Sequence, residues 1–363
     1  GIWKSTDAGD SWNLITDQLS NICVSCLAQA PNGDIYAGTG EGFSVYVTGE
    51  GFSTCILGGG IIKSTDDGAT FSLLSSTTPS SSNNINSTWA YTNRIAIQPN
   101  NPQVVYAATN KGLMVSTDGG NTWANVTGVG ATTCLDVKMS ADGSIVIACI
   151  GGNSYYAYPS SSNSYQATAF SAIATAGYGK LPSSGGGRIE FAIAPSNPNY
   201  IYASVIGSNS SLIGVYFTNS AVSSGKGGIW YEIGPGGSKQ FNPYSSGGVQ
   251  NQGDYDNTLG VFPNNPGKIL VGGTTLWSWM QNSSTDTVGG WTSISTYFGF
   301  PGDPSYIHPD EHAIVIDNNN PNVVYVGCDG GIYKSTDGAK TFNPENRNYD
   351  VTQFYAIAFS PYV

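Results

Sequence analysis

The residues of this chain that could do chemistry are few and unevenly placed. His308, Asp310 and His312 alternate, so in an extended strand all three side chains point one way, and two imidazoles with a carboxylate form a ligand set for a transition metal. The plainer use of the same trio is to hydrogen-bond neighbouring segments. Glu41, inside Gly38-Thr39-Gly40-Glu41-Gly42, is either a calcium ligand or a solvated loop carboxylate. Asp254, Asp256 and Asp329 also stand in Gly-rich or turn-like surroundings, as do the cations Arg94, Lys111 and Arg188. The only two histidines and two of the three arginines belong to this set. Whether they meet depends on the elements that carry them.

Those elements repeat. Ser116-Thr117-Asp118-Gly119-Gly120-Asn121-Thr122-Trp123 recurs as Ser5 to Trp12, Ser64 to Phe71 and Ser335 to Phe342, each time after a short apolar run. The pattern predicts a strand, a turn and a return strand: the Asp accepts from backbone N–H groups further on, and a Gly supplies a positive φ. Drifted copies lie at Ser223 to Trp230 and Ser284 to Trp291. Upstream of the boxes a second hairpin recurs around Pro99-Asn100-Asn101-Pro102, Pro195 to Pro198, Pro263 to Pro266 and Asn318 to Pro321. The unit is therefore four strands, a to d, repeating roughly every 45–55 residues, the period of β-propeller blades.

Six whole units are predicted between Ile22 and Phe342. Residues 1–16 supply only strands c and d, and Thr352 to Phe359 reads as one more strand a. The expectation is an all-β, seven-bladed propeller over residues 1–363, one domain, with its ring closed by terminal strands that share a blade. The chain also reads as a mature form or as a piece excised from a longer protein.

If strands alternate in direction, the a–b turns and c–d boxes share one face of the disc, and the b–c and d–a loops share the other. The long, irregular loops all fall on the second face, where propellers bind ligands. Arg94, Arg188, Asp254, Asp256, His308, Asp310 and His312 map to d–a junctions there, and Glu41, Lys111 and Asp329 to b–c loops. Convergence near the axis is expected.

Composition narrows the classes. With a net charge of −11 and three arginines, the chain lacks the basic stripe that grips nucleic acid. No apolar run is long enough to span a membrane. Cys134 and Cys149 flank a hairpin at Ala141-Asp142-Gly143 and are expected opposite one another, as a disulfide or as small apolar side chains. Cys23 or Cys26 with Cys55 is a second pairing. An oxidising, extracellular or cell-surface setting fits. The sequons at Asn86, Asn125, Asn209 and Asn282 are of the kind a Ser/Thr/Asn-rich chain makes by chance.

The boxes and inter-box segments, among them Gly253 to Thr258, His308 to Ala313, Asp329 to Tyr333 and Gln353 to Tyr355, resemble the Asp-box (BNR) propellers. That group includes sialidases, sortilin-type receptor domains, xyloglucan-cleaving hydrolases and secreted exoproteins of Bacteroidetes-like bacteria. The resemblance implies the fold more strongly than any activity. It places Asp329 where the xyloglucan-cleaving enzymes carry a catalytic aspartate, with Asp256 or Asp310 as the second carboxylate that glycoside hydrolysis needs. Arg94-Ile95-Ala96 and Arg188-Ile189-Glu190 lack the Pro of the sialidase arginine motif.

The expected function is a non-catalytic extracellular binding or structural module, contacting glycan or a surface protein within an adhesin, filament or other assembly, and requiring no cofactor. The alternative is a polysaccharide-cleaving glycoside hydrolase. Tyr155, Tyr156, Tyr158, Trp277 and Trp279 would stack on sugars or pack between blades.

Overall fold

The computed structural model describes residues 1–349 other than 17, 18, 20, 22, 44–55, 81–84, 237–240, 245–250, 285, 297, 298 and 301. Cys55, the middle of the Gly-rich insertion and the predicted strand Thr352 to Phe359 lie outside the described residues.

Six four-stranded antiparallel sheets follow one another at residues 24–73, 92–125, 134–172, 189–235, 258–293 and 311–344, and are called blades 1 to 6. A two-stranded sheet, Trp3–Lys4 with Asn13–Leu14, precedes them. The fold is an all-β propeller, and among the described residues its only helical elements are short 3-10 turns. Six complete blades are present where seven were expected. The seventh needs a strand a from the chain's end, which is outside the described residues.

Each box forms the turn its residues dictate. Ser116 Oγ accepts from Gly120 N at 2.8 Å and donates to Asp118 Oδ1 at 2.8 Å, while Asp118 accepts from Thr122 N at 2.9 Å and Thr122 Oγ1 at 2.6 Å. The same set recurs about Asp7, Asp66 and Asp337. Two consecutive residues of each box take positive φ, including the non-glycines Ala8, Asp67 and Ala339, so the side-chain bonds hold a backbone that disfavours Cβ.

Between successive sheets lie apolar clusters, such as Tyr106, Leu113, Val137 and Phe170 between blades 2 and 3, and Tyr202, Phe217, Val271 and Trp279 between blades 4 and 5. A tyrosine in strand b ties several blades to the next unit. Tyr36 Oη donates to Gly119 O at 3.0 Å, Tyr106 to Ala167 O at 3.1 Å and Tyr202 to Pro266 O at 2.7 Å. In blade 6, Tyr325 donates at 2.8 Å to Ala8 O, in the N-terminal box. The N-terminal pair thus stands to blade 6 as blade 2 stands to blade 1.

Strand a of blades 1, 2, 3 and 6 (Val24–Gln29, Thr92–Ile97, Cys134–Met139 and Glu311–Ile316) carries a register shift after its first residue, at Ser25, Asn93, Leu135 and His312. A bulge of this kind re-aims side chains. It corrects the expected pairing of Cys134 with Cys149: Cys134 faces Ile150, Cys149 faces Asp136, and the two thiols are free. They pack in different clusters, Cys134 towards blade 2 and Cys149 towards blade 4, as small apolar side chains.

Candidate functional site

The chemically capable residues of the chain divide into two groups at the axis. The larger is an ionic network on the inner strands of blades 2 to 4. Glu190 accepts from Arg188 Nη2 at 2.7 Å, Lys138 Nζ at 2.8 Å and Arg94 Nη2 at 3.2 Å. Asp136, fully buried, takes Lys138 at 2.5 Å and Phe191 N at 2.7 Å. Burial pushes the Glu190 carboxyl up, and the three cations outweigh it, holding the group well below the usual carboxylate range. Phe43 lies across the two guanidiniums, its ring 4.7 Å from Arg94 and 4.0 Å from Arg188. Arg188 also donates to the carbonyls of Asp254, Tyr255 and Asn257, at 3.2, 2.8 and 2.8 Å.

This corrects the expectation for Arg94 and Arg188 as ligand-binding cations: both are committed inside the protein. Asp136, Lys138, Glu190 and Phe43 were not singled out from the sequence. The signal was there for three of them, because Asp136-Val137-Lys138 and Glu190 put charge in the middle of apolar inner strands.

The second group lies at the mouth of the channel on the side of the irregular loops. His312 bridges two carboxylates: Nε2 lies 2.8 Å from Asp329 Oδ1 and Nδ1 lies 3.5 Å from Asp256 Oδ1. Asp310 Oδ1 accepts from Gln252 at 3.2 Å, and the Tyr255 ring stands edge-on to His312 at 4.9 Å. Burial, with the charges of Asp310 and Asp329, pushes the Asp256 carboxyl up to about 9, while the His312 hydrogen bond holds Asp329 below its ordinary value. Glu41 accepts from Phe43 N, linking this loop to the network.

The predicted residues come together only in part. Asp310 has φ +70° and His312 occupies the bulge, so the strict alternation of His308, Asp310 and His312 fails. His308 turns its Nδ1 to Pro309 O at 3.0 Å instead. Among the described residues no group of three or more His, Cys, Asp or Glu side chains is arranged to hold a metal ion. Lys111 sits in the tight turn after Thr109, its N–H on Thr109 Oγ1, and none of the described hydrogen bonds or ion pairs joins its side chain to the mouth.

Asp256 and Asp329 are separated by one imidazole ring and its contacts of 3.5 and 2.8 Å, an upper bound that reaches the about 6.5–9.5 Å of inverting glycosidases. Yet Asp256 is 0% exposed, and the His312 ring fills the space between the carboxyls. Of the five aromatic candidates, Trp279 is 1% exposed in the core, Trp277 packs edge-on to Phe241, and Tyr156 and Tyr158 pack on each other. Blade packing claims these four.

No protein-family model matches the sequence, and comparison with curated proteins finds no match. Solved structures do match in fold. A GH74 enzyme of Niastella koreensis is 17% identical over 87% of this chain and 49% of its own, with a TM-score of 0.48. The extracellular domain of the putative one component system BT4673 from B. thetaiotaomicron is 14% identical over 90% of this chain and 33% of its own, with a TM-score of 0.52. YCF48 bound to D1 peptide is 13% identical over 92% and 85%, with a TM-score of 0.51. The chain spans about half the length of the Niastella enzyme. At these identities the likeness is one of fold, and the fold these proteins share with the chain is the β-propeller.

Proposed function

We propose that this protein is a non-catalytic binding module, displayed outside the cell or at its surface, that takes a protein or glycan partner on its irregular face. One observation carries it. Ile56, Ile85, Tyr178, Tyr255 and Phe300 all belong to b–c or d–a loops, and they are 58%, 57%, 87%, 39% and 80% exposed. Large apolar side chains gathered in the loops of one face mark an interaction surface. The opposite face carries the polar boxes, whose side chains are spent on their own turns, with fewer such groups, Ile229 and Val288 at 44% and 58%. A propeller of this fold bound to a peptide, as in YCF48, and one that forms an extracellular domain, as in BT4673, are compatible precedents for that use of the scaffold.

With Asp256 as its second carboxylate the hydrolase alternative is the weaker reading, because that group is buried behind an imidazole; Asp310, half-buried at the rim, is the carboxylate left for it. A glycan array paired with a reducing-sugar assay separates the two, together with pull-down of surface proteins. Tyr178→Ala with Phe300→Ala should abolish partner binding and leave the unfolding midpoint unchanged. Hydrolytic activity lost in Asp329→Asn, with folding intact, would overturn the binding reading.

We also infer a ring of seven positions, the seventh built on Trp3–Lys4 and Asn13–Leu14 of the N-terminal box and completed by residues after Tyr349. Tyr349 packs on Trp3 and Trp12 at 5.1 and 6.2 Å, so the chain leaves blade 6 beside that sheet. Leu27 and Val315, on the inner strands of blades 1 and 6, are 56% and 60% exposed, an apolar margin that a further inner strand would cover. Cross-linking of paired cysteines between residues 24–29 and 352–359 tests it.

A further inference from the structure

At the channel mouth, buried acid groups lack partners. Asp256 is 0% exposed, and neither of its carboxylate oxygens has a hydrogen-bond partner. The same holds for Asp254 Oδ2 and for Glu311 Oε1, the latter on a side chain that is also 0% exposed. In front of them stand two acids that solvent reaches, Asp310, half-buried, and Asp329, with a side chain 53% exposed. Buried acid oxygens without partners, behind a partly open acidic rim, are a site short of a polar partner.

The chain's own cations do not supply it. Arg188 lies behind the 254–257 loop, both its Nη groups taken by three carbonyls and Glu190, while Arg94 and Lys138 are held by Glu190 and Asp136. In the described ion pairs, Asp256 and Asp329 meet only His312. A closed coordination shell for a metal ion is also missing among the described residues. What the rim offers instead is a pair of carboxylates at the edge, the Tyr255 ring beside them, and an apolar collar of loops further out. That combination suits a planar guanidinium, which takes carboxylates through parallel N–H donors and lies against an aromatic ring.

We infer that the mouth formed by Asp310, His312, Asp329 and Tyr255 is a socket for an arginine side chain of a protein partner. The inference rests on the proposed binding face and selects a protein over a glycan. The cation sits against Asp329 and Asp310 at the rim, which carry the negative charge that meets it; burial pushes the Asp256 and Glu311 carboxyls beneath up, so they line the floor as polar groups rather than as charges.

With only two histidines in the chain, the ring signals of His312 are read directly by NMR, His308→Gln giving the assignment. The whole chain is titrated with an acetylated Gly-Arg-Gly amide, with its citrulline counterpart, and with calcium chloride. The arginine peptide should shift the His312 signals saturably, and citrulline, isosteric and neutral, should not. Asp329→Asn should weaken the peptide by about tenfold or more, and Asp310→Asn, a second rim variant, should act in the same direction. Equal shifts with citrulline, no shift at millimolar arginine peptide, or an unchanged affinity in both variants overturns the socket. So does a calcium-induced shift that the peptide cannot displace, which would make the mouth a metal site. If the socket fails while Tyr178→Ala with Phe300→Ala still abolishes capture of a partner, the binding face stands without it.

Discussion

Glu190→Gln is the substitution to which the axis should be most sensitive. It removes one negative charge from a side chain 4% exposed, touching Arg188 at 2.7 Å, Lys138 at 2.8 Å and Arg94 at 3.2 Å. Lys138 and Arg94 would then share Asp136, and Arg188 would keep only backbone carbonyls. The shape is kept, but the new amide NH2 has to face guanidinium or ammonium donors. Removing one partner of a buried pair costs about 3–5 kcal/mol, against about 0–1 kcal/mol for an exposed one. Burial decides between them: Arg188 is 2% exposed and cannot recover its charge in water. The expected loss is therefore about 3–5 kcal/mol, read as a lower urea midpoint at an unchanged slope. Lys138 is the most solvated of the cations, at 28% side-chain exposure, so Lys138→Met added to Glu190→Gln should recover part of the loss, with a coupling of about 1–3 kcal/mol. A Glu190→Gln variant that loses under about 1 kcal/mol, or strict additivity in the double variant, would show that the network is not held dry and refute the reasoning.

Three further outcomes are expected. Ser116→Ala leaves the buried N–H of Gly120 without its acceptor and should cost about 1–3 kcal/mol in chemical denaturation, the hydroxyl being 1% exposed. Asp7 and Asp66 are lowered to about 2 by side-chain hydrogen bonds from Ser11 and Thr70, so the box turns contribute stability fully above the ordinary carboxylate range and lose it progressively as pH falls from that range through about 2. Amide-exchange protection of Gly9 and Gly68 should therefore persist from pH 6 to about 3, and collapse of both by pH 4 would contradict it. Cys134 and Cys149 should each be alkylated after unfolding without reductant, and peptide mapping that finds them joined would show that the bulge at Leu135 has been misplaced.

What the sequence discloses here depends on the range of the interaction. A box is a local device: Ser116, Asp118 and Thr122 satisfy one another within seven residues, so residue types and spacing define the turn, and repetition defines the blades. Strand parity then carries the argument to one face and the axis, and it correctly brings Asp256, Asp310, His312 and Asp329 together. It fails where the backbone departs from its period. The extra residue at His312 and the positive φ of Asp310 undo the alternation on which a metal set was built, and the equivalent bulge at Leu135 separates Cys134 from Cys149. It is equally blind to long-range charge balance. Whether Arg94 and Arg188 are free to hold a ligand depends on Glu190 and on a Phe43 ring from a loop more than 50 residues before Arg94 and more than 140 before Arg188, none of which spacing reveals. Once those cations are claimed by the network, the mouth is left, among the described residues, with acids and no cation of its own but His312: Arg188 meets the loop through the carbonyls of Asp254, Tyr255 and Asn257 and not through its carboxylates, so Asp254 Oδ2 and both Asp256 oxygens have no hydrogen-bond partner and burial pushes the Asp256 carboxyl up.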